Sequence, residues 1–223
     1  HVFHGSNPGK RDVTLRLDHP DGVALVKRLI ADADVVIENF SARVMPGFGL
    51  DSATLAALNP RLINVRMPAF GLDGPWRDHV AFAMTIEQVS GPAWPAGYDG
   101  LPLVGLCDPL GSVHTVFALG LALEERTRTG KGQVVEVALV EPALNIAAEQ
   151  VLEYSAYGAL LTRHANVMPH AAPQGIFETS AADERIAISV TTDAEWAGLC
   201  RALAAEDWRQ DPALASHAGR HAA

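Results

Sequence analysis

The apolar positions of the chain change their period several times, and each change marks an element. VTLRL (13–17) alternates and predicts a short strand. Pro20 then opens a helix, PDGVALVKRLIADAD, with Val23, Val26, Leu29 and Ile30 recurring on one face. DVVI is a continuous apolar run of the kind buried on both faces of a parallel sheet, and it ends at Glu38-Asn39-Phe40. Asp51 opens a short helix, DSATLAAL, which Asn59-Pro60 stops; RLINVRM is the next strand and runs into Pro68-Ala69-Phe70-Gly71. A helix over about Phe82–Val89 closes at Ser90-Gly91, followed by a loop rich in proline, glycine and tryptophan. The apolar run LPLVGLC leads to Asp108, after which a long apolar helix extends to about Glu125. RTRTGKGQ reads as a basic turn, VVEVAL as a strand, and Glu141–Tyr157 as one helix with Leu144, Ala148, Val151 and Leu152 inward.

Strands alternating with helices predict an α/β fold: a doubly wound, mostly parallel, Rossmann-like sheet. In such sheets ligands bind beyond the carboxyl ends of the strands, which draws attention to the loops at 38–40 and 68–71. After Gly158 the pattern changes. A linker-like stretch precedes IFET, RIAISV and AEWAGLCRAL, the opening of a smaller α/β domain. The division expected is therefore a large domain over 1–163 and a linker with the start of a small domain over 164–223. The chain opens in mid-motif, without the first strand such a sheet should have, and reads as a section of a longer protein.

Composition narrows the function. A hydrophobic fraction of 48% with 19% charged residues is that of a folded domain. The net charge of −9 argues against a general nucleic-acid surface, so an anionic ligand needs a local basic site. Cys107 and Cys200 stand far apart and suggest neither a disulfide nor a metal site; both read as reduced thiols of a cytoplasmic protein. No apolar run is long enough to span a membrane, and no metal is expected.

Asp108 is the candidate of most interest. It precedes Pro109 at a helix start, where helix N–H groups favour an ionised carboxylate, and the local pattern alone reads as an N-cap. Lys10 and Arg11, beside Gly9, are placed either to hold phosphates or simply to face water. Asn39 alone reads as a turn residue. The cluster Arg126–Lys131 is read as structural, since it lacks the G-x-x-x-x-G-K-S/T spacing of a phosphate loop. His114 reads as a core histidine and Glu87 as an exposed helix residue, although Glu87 is the one other carboxylate placed to face the site. G-x-G-x-x-G, H-E-x-x-H and G-x-S-x-G are all absent.

Seven segments carry a resemblance. They are GKRDVTLRL (9–17), ADVVIENF (33–40), GLDSATLAALNPRLINVRMPAFGLDGP (49–75), VSG (89–91), Asp108 after its apolar run, ERTRTGKGQVVEVALVE (125–141) and AAPQGIFET (171–179). In this order the chain resembles the family III CoA-transferases (the CaiB/BaiF and formyl-CoA transferase group), which include the α-methylacyl-CoA racemases. The resemblance implies that Asp108 is the catalytic carboxylate, forming a covalent aspartyl intermediate, and that Lys10, Arg11, Asn39 and Phe40 border CoA. It implies no permanently bound cofactor, coenzyme A and acyl-CoA as substrates beside a carboxylic acid, and an interlocked homodimer; charge and hydropathy leave no nucleic-acid or membrane partner expected.

The pattern departs from the family in three places. Racemases carry a His–Asp pair where this chain has Phe82 and Ala83, so transfer is favoured over racemisation unless Glu87 substitutes. A basic residue common after the ENF loop is replaced by Pro46-Gly47-Phe48. The glycine-rich loop that covers the aspartate in some transferases is not found in the chain. A non-catalytic CoA-binding half of a larger assembly is the alternative from another class.

Overall fold

A computed structural model describes residues 5–97, 105–164 and 166–223. These form two compact units, one of residues 5–93 with 105–160, the other of residues 94–97 with 161–223. The first unit is α/β, as the sequence pattern predicts. Its sheet contains β1 (Val35–Glu38), β2 (Ile63–Arg66) and β3 (Gln133–Glu136), all parallel and in that order, with Val35 opposite Ile63 and Ile63 opposite Gln133. The helices are α1 (Pro20–Ala31), α2 (Val44–Gly47), α3 (Ser52–Leu58), α4 (Ala83–Ser90), α5 (Cys107–Thr129), α6 (Val140–Ile146) and α7 (Ala148–Tyr157).

The central strand β2 explains why helices lie on both faces. Ile63 and Val65 are fully buried with Ala122, Leu119 and Leu123 of α5. The preceding Leu62 packs instead with Ile30 of α1, Met45 of α2 and Leu55 of α3. That second face also takes the polar positions of the strand: Asn64 donates to Ser52 Oγ at 3.1 Å, and Arg66 donates through Nε to Glu38 Oε1 at 2.7 Å. A side-chain period of two sends alternate residues to opposite faces, so the polar Asn64 and Arg66 share one face and the strand holds a buried ion pair.

Several predicted details are corrected. Residues 13–17 form no strand; no neighbouring strand pairs with them among the described residues, and Val13 is exposed. Leu29 faces outward while Ile30 is buried. The strand at 35–38 is not buried on both faces, because it is the edge of the described sheet and Ile37 is 55% exposed. The helix expected over 141–157 breaks at Ala147. Its buried residues are Pro142, Ala143 and Ala147, whereas Leu144, Ala148, Val151 and Leu152 lie outward. The apolar run at 101–104, read as the approach to Asp108, lies outside the described residues.

Helix α5 has 23 residues and is thus about 35 Å long. It outruns the predicted end because the basic stretch suits the carbonyl end of a helix dipole and Gly130, at φ 74°, caps it in the left-handed region. Arg126 there donates to Asp34 O at 3.1 Å and pairs with Asp34 Oδ1 at 3.1 Å, a structural use of the basic cluster. Near its other end α5 lies close to the segment after β3: a Cβ on Gly111 would stand 2.5 Å from Leu139 Cδ2. Val113, Val116, Phe117 and Leu121 remain exposed along the helix. Among the described residues no helix is long and apolar enough to cross a membrane.

The second unit pairs β4 (Gln174–Glu178) antiparallel with β5 (Arg185–Ser189) and adds α8 (Asp193–Ala202), α9 (Glu206–Gln210), a 3-10 turn (Pro212–Leu214) and α10 (His217–Ala222). Thr192 and Glu195 form a capping box on α8. Val190, Trp196 and Cys200 make its core, over which Arg220 lies 5.4 Å from the Trp196 ring while bonding Asp193 at 2.8 Å.

The Glu38–Arg66 pair generates a stability prediction. Both side chains are more than nine-tenths buried. Arg66→Met leaves Glu38 charged without its partner, so unfolding in urea is expected to show a loss of about 3–5 kcal/mol. The double variant Glu38→Gln/Arg66→Met should regain part of that loss. An Arg66→Met midpoint equal to wild type would refute the assignment.

Candidate active site

The carboxyl edge of the sheet holds a cleft of about 460 Å³. Asn39, Phe40 and Ser41 reach it from the end of β1, Ala69 from the segment after β2, and Leu139 from the segment after β3. Asp108 enters from the start of α5, and residues 79–83 close another side. The cleft lies where a parallel sheet offers its loops to a ligand.

Asp108 is not the N-cap. That position belongs to Leu106, whose side chain caps nothing, and Asp108 is the second residue of α5. The helix start is held by Glu87 of α4. Gly105 N–H donates to both Glu87 oxygens at 2.9 Å, and Cys107 N–H donates to Glu87 Oε1 at 2.8 Å. Glu87 is 1% exposed, so the expectation of an exposed helix residue is overturned. It also does not line the cleft: its acceptors are taken up by the backbone that precedes Asp108. A carboxylate among the N–H groups of a helix start satisfies groups that the helix cannot. The consequence is that the Asp108 side chain is exposed and makes no hydrogen bond or ion pair among the described residues. The sequence does contain the signal: a helix start with leucine at its N-cap needs an acceptor from elsewhere.

Cys107 packs with Ile86, Ala69, Leu139 and Ala143 directly behind Asp108. Its Sγ lies 3.5 Å from Leu139 O. Burial first, and then the charges of Glu87 and Asp108, push the thiol up to about 11.

The Glu38–Arg66 pair shapes the opposite side. Glu38 Oε2 accepts from Phe40 N–H at 2.8 Å, and Arg66 Nη2 donates to Ala42 O at 3.1 Å. The loop carrying Asn39 and Phe40 is thereby tied down from both sides. Beyond β2, Leu72 N–H donates to Glu136 Oε1 at 2.7 Å. Phe70 meets Trp76 and His79 edge to face, which sets the path of the chain towards 79–83.

Of the residues singled out from sequence, Asp108, Asn39 and Phe40 come together at this cleft. Lys10 and Arg11 do not line it. Both are exposed, and Lys10 Nζ donates to Ser6 O at 2.9 Å and Asn7 Oδ1 at 2.8 Å. Phe82 and Ala83, which stand where a racemase pair would be, do line it. His114 Nδ1 lies 2.9 Å from Leu110 O, one turn back on its own helix. Sequence reasoning missed Arg43 and His79, both on the cleft wall.

The cleft at the carboxyl edge of the parallel sheet, with the exposed Asp108 at a helix start, is the candidate site. The comparisons with known proteins specify it. All of residues 1–223 match CoA-transferase family III. The chain belongs to that family. It is 33% identical over 215 residues to the succinyl-CoA–D-citramalate CoA-transferase of Chloroflexus aurantiacus, covering 95% of the chain and 53% of that protein. It is 34% identical over 205 residues to the succinate–glutarate CoA-transferase of Agrobacterium fabrum, covering 90% of the chain and 51% of that protein. Among solved structures, a CaiB/BaiF family protein from Brucella suis superposes with a TM-score of 0.88 at 32% identity, over 99% of the chain and 59% of that structure. The chain thus spans about half the length of these curated relatives.

The buried thiol allows a direct check. An ordinary thiol ionises near pH 8.5, and its alkylation accelerates through that range. Because the Cys107 value is raised, iodoacetamide labelling in the native protein should stay slow through pH 9 and become ordinary in denaturant, read by peptide mass spectrometry. Rapid native labelling of Cys107 at pH 8 would contradict the packing described.

Proposed function

We propose that the protein containing this chain transfers CoA between an acyl-CoA and a small carboxylic acid in the cytoplasm, with Asp108 as covalent nucleophile. The observation that carries this reading is that Glu87 caps the helix start, so that Asp108 faces the cleft unengaged. An Asp108 oxygen attacks the thioester carbonyl, the C–S bond breaks, and CoA leaves as thiolate with a mixed anhydride remaining. The thiolate then attacks the aspartyl carbonyl, releasing the donor acid and leaving an aspartyl-CoA thioester. The acceptor carboxylate attacks that carbonyl and frees the thiolate. Attack of the thiolate on the acceptor's acyl carbonyl gives the new acyl-CoA and regenerates Asp108. The apolar wall at Val80–Ala83 and Leu139 supports the exclusion of water that such an anhydride requires.

The racemase reading is disfavoured. Phe82 and Ala83 stand at the positions of the racemase pair and Glu87 is occupied elsewhere, which leaves His79 as the other acid–base side chain on the cleft wall. Asn39 and Phe40 are proposed to border the thiol arm of CoA. Lys10 and Arg11 are proposed to hold its phosphates; these lie a whole pantetheine arm from the sulfur, consistent with their place outside the cleft. The exposed apolar stripe of α5 supports assembly with a second chain, in the interlocked homodimer the family resemblance implies.

Asp108→Ala is expected to lower kcat by at least about a thousandfold while CoA-ester binding survives. With hydroxylamine and acyl-CoA, wild type should yield an aspartyl hydroxamate at Asp108; a binding half without catalysis would yield none. Neutralising Lys10 and Arg11 together should raise KM for CoA esters and leave kcat nearly unchanged. An unchanged KM would remove the phosphate assignment. Light scattering of the full-length protein at assay concentration should give a dimer, and an active monomer would sink that part of the proposal.

A further inference from the structure

Arg43 is the only lysine or arginine among the residues lining the cleft, and its side chain makes no hydrogen bond or ion pair among the described residues. Its side chain is exposed, but its backbone is fixed. Arg43 O accepts from Gly47 N–H at 3.0 Å, and Val44 N–H donates to Ser41 O at 3.0 Å. The Glu38–Arg66 pair holds Phe40 and Ala42 just before it. A buried ion pair therefore places the base of a long, permanently charged side chain beside the cleft that contains Asp108.

We propose that Arg43 determines specificity by binding the second carboxylate of a dicarboxylic acyl group. This rests on the transferase reading of Asp108. If Asp108 attacks the thioester carbon, the acyl chain lies in the same cleft and the CoA phosphates lie far outside it. Arg43 shares that acyl end. Most of the remaining wall is apolar: Val44, Val80, Ala81, Phe82, Ala83 and Leu139. An acyl chain with a methyl end fits such a wall with or without a cation. A terminal carboxylate is penalised there unless a cation meets it, and the planar guanidinium offers two parallel N–H donors to both of its oxygens. Arg43 thus separates acids of equal length by their distal charge. The Pro46-Gly47-Phe48 segment offers no cation for this task, and Arg43 stands in the loop before it.

The test compares succinyl-CoA with butyryl-CoA, which has the same chain length without the second carboxyl. The full-length protein is used as wild type, Arg43→Gln and Arg43→Lys. The readout is the rate of Asp108 hydroxamate formation in hydroxylamine, which needs no acceptor acid. Wild type should prefer succinyl-CoA. Arg43→Gln should lower kcat/KM for succinyl-CoA by about 100-fold and leave butyryl-CoA within about threefold, with Arg43→Lys between. Equal losses on both donors would mean that Arg43 contacts CoA itself, and no loss on either would mean a solvated side chain; each result overturns the inference. A wild type that prefers butyryl-CoA overturns it as well. If wild type labels Asp108 with neither donor, the transferase reading fails and the inference falls with it. Labelled Asp108 with an indifferent Arg43 removes the inference alone.

Discussion

Among the described residues no cation stands beside the buried carboxylate of Glu87, and the candidate site depends on how that group is satisfied. Two backbone N–H groups at the start of α5 take the place of a counter-ion. The arrangement is reciprocal: the helix start gains the acceptor that Leu106 cannot supply, and the carboxylate gains donors in a region from which water is excluded. An aspartate at the second position of a helix would ordinarily be drawn into capping. Here that task is done from behind, by a residue on another helix, and the Asp108 side chain stays in the cleft.

A second buried charge does comparable work on the other wall. Glu38 and Arg66 meet across β1 and β2, and their spare oxygen and nitrogen reach the backbone on either side of Ser41. Pairs of this kind add little net stability compared with apolar residues of similar volume. What they supply is position. The loop from Asn39 to Arg43 buries only Ala42 and would otherwise have little to hold it.

The sequence made the parallel α/β plan legible because strand and helix periods alternate cleanly, and the motif order led to Asp108, Asn39 and Phe40. It concealed both buried carboxylates. Glu87 sits in AMTIEQVS, where helical periodicity reveals which residues share a face but not which neighbour approaches that face. Arg66 sits in a short strand whose pattern does not say what it meets, and its partner is 28 positions away. Leu144, Val151 and Leu152 misled in the opposite direction, since an apolar stripe does not say whether the chain itself covers it. Arg43 was overlooked because a basic residue was sought further along, after the loop rather than within it.

Cys107 adjoins Asp108 in sequence, and on the proposed mechanism an acyl anhydride forms one residue away from a thiol. Thiolates capture activated acyl groups readily, and a thioester to the enzyme's own cysteine would be a dead end. Burial behind the Ile86, Ala69 and Ala143 wall shields the sulfur and raises its pKa, and the Glu87 charge adds to that rise, so the proton stays on it. On that mechanism the packing and the Glu87 charge that organise the helix start also guard against self-acylation.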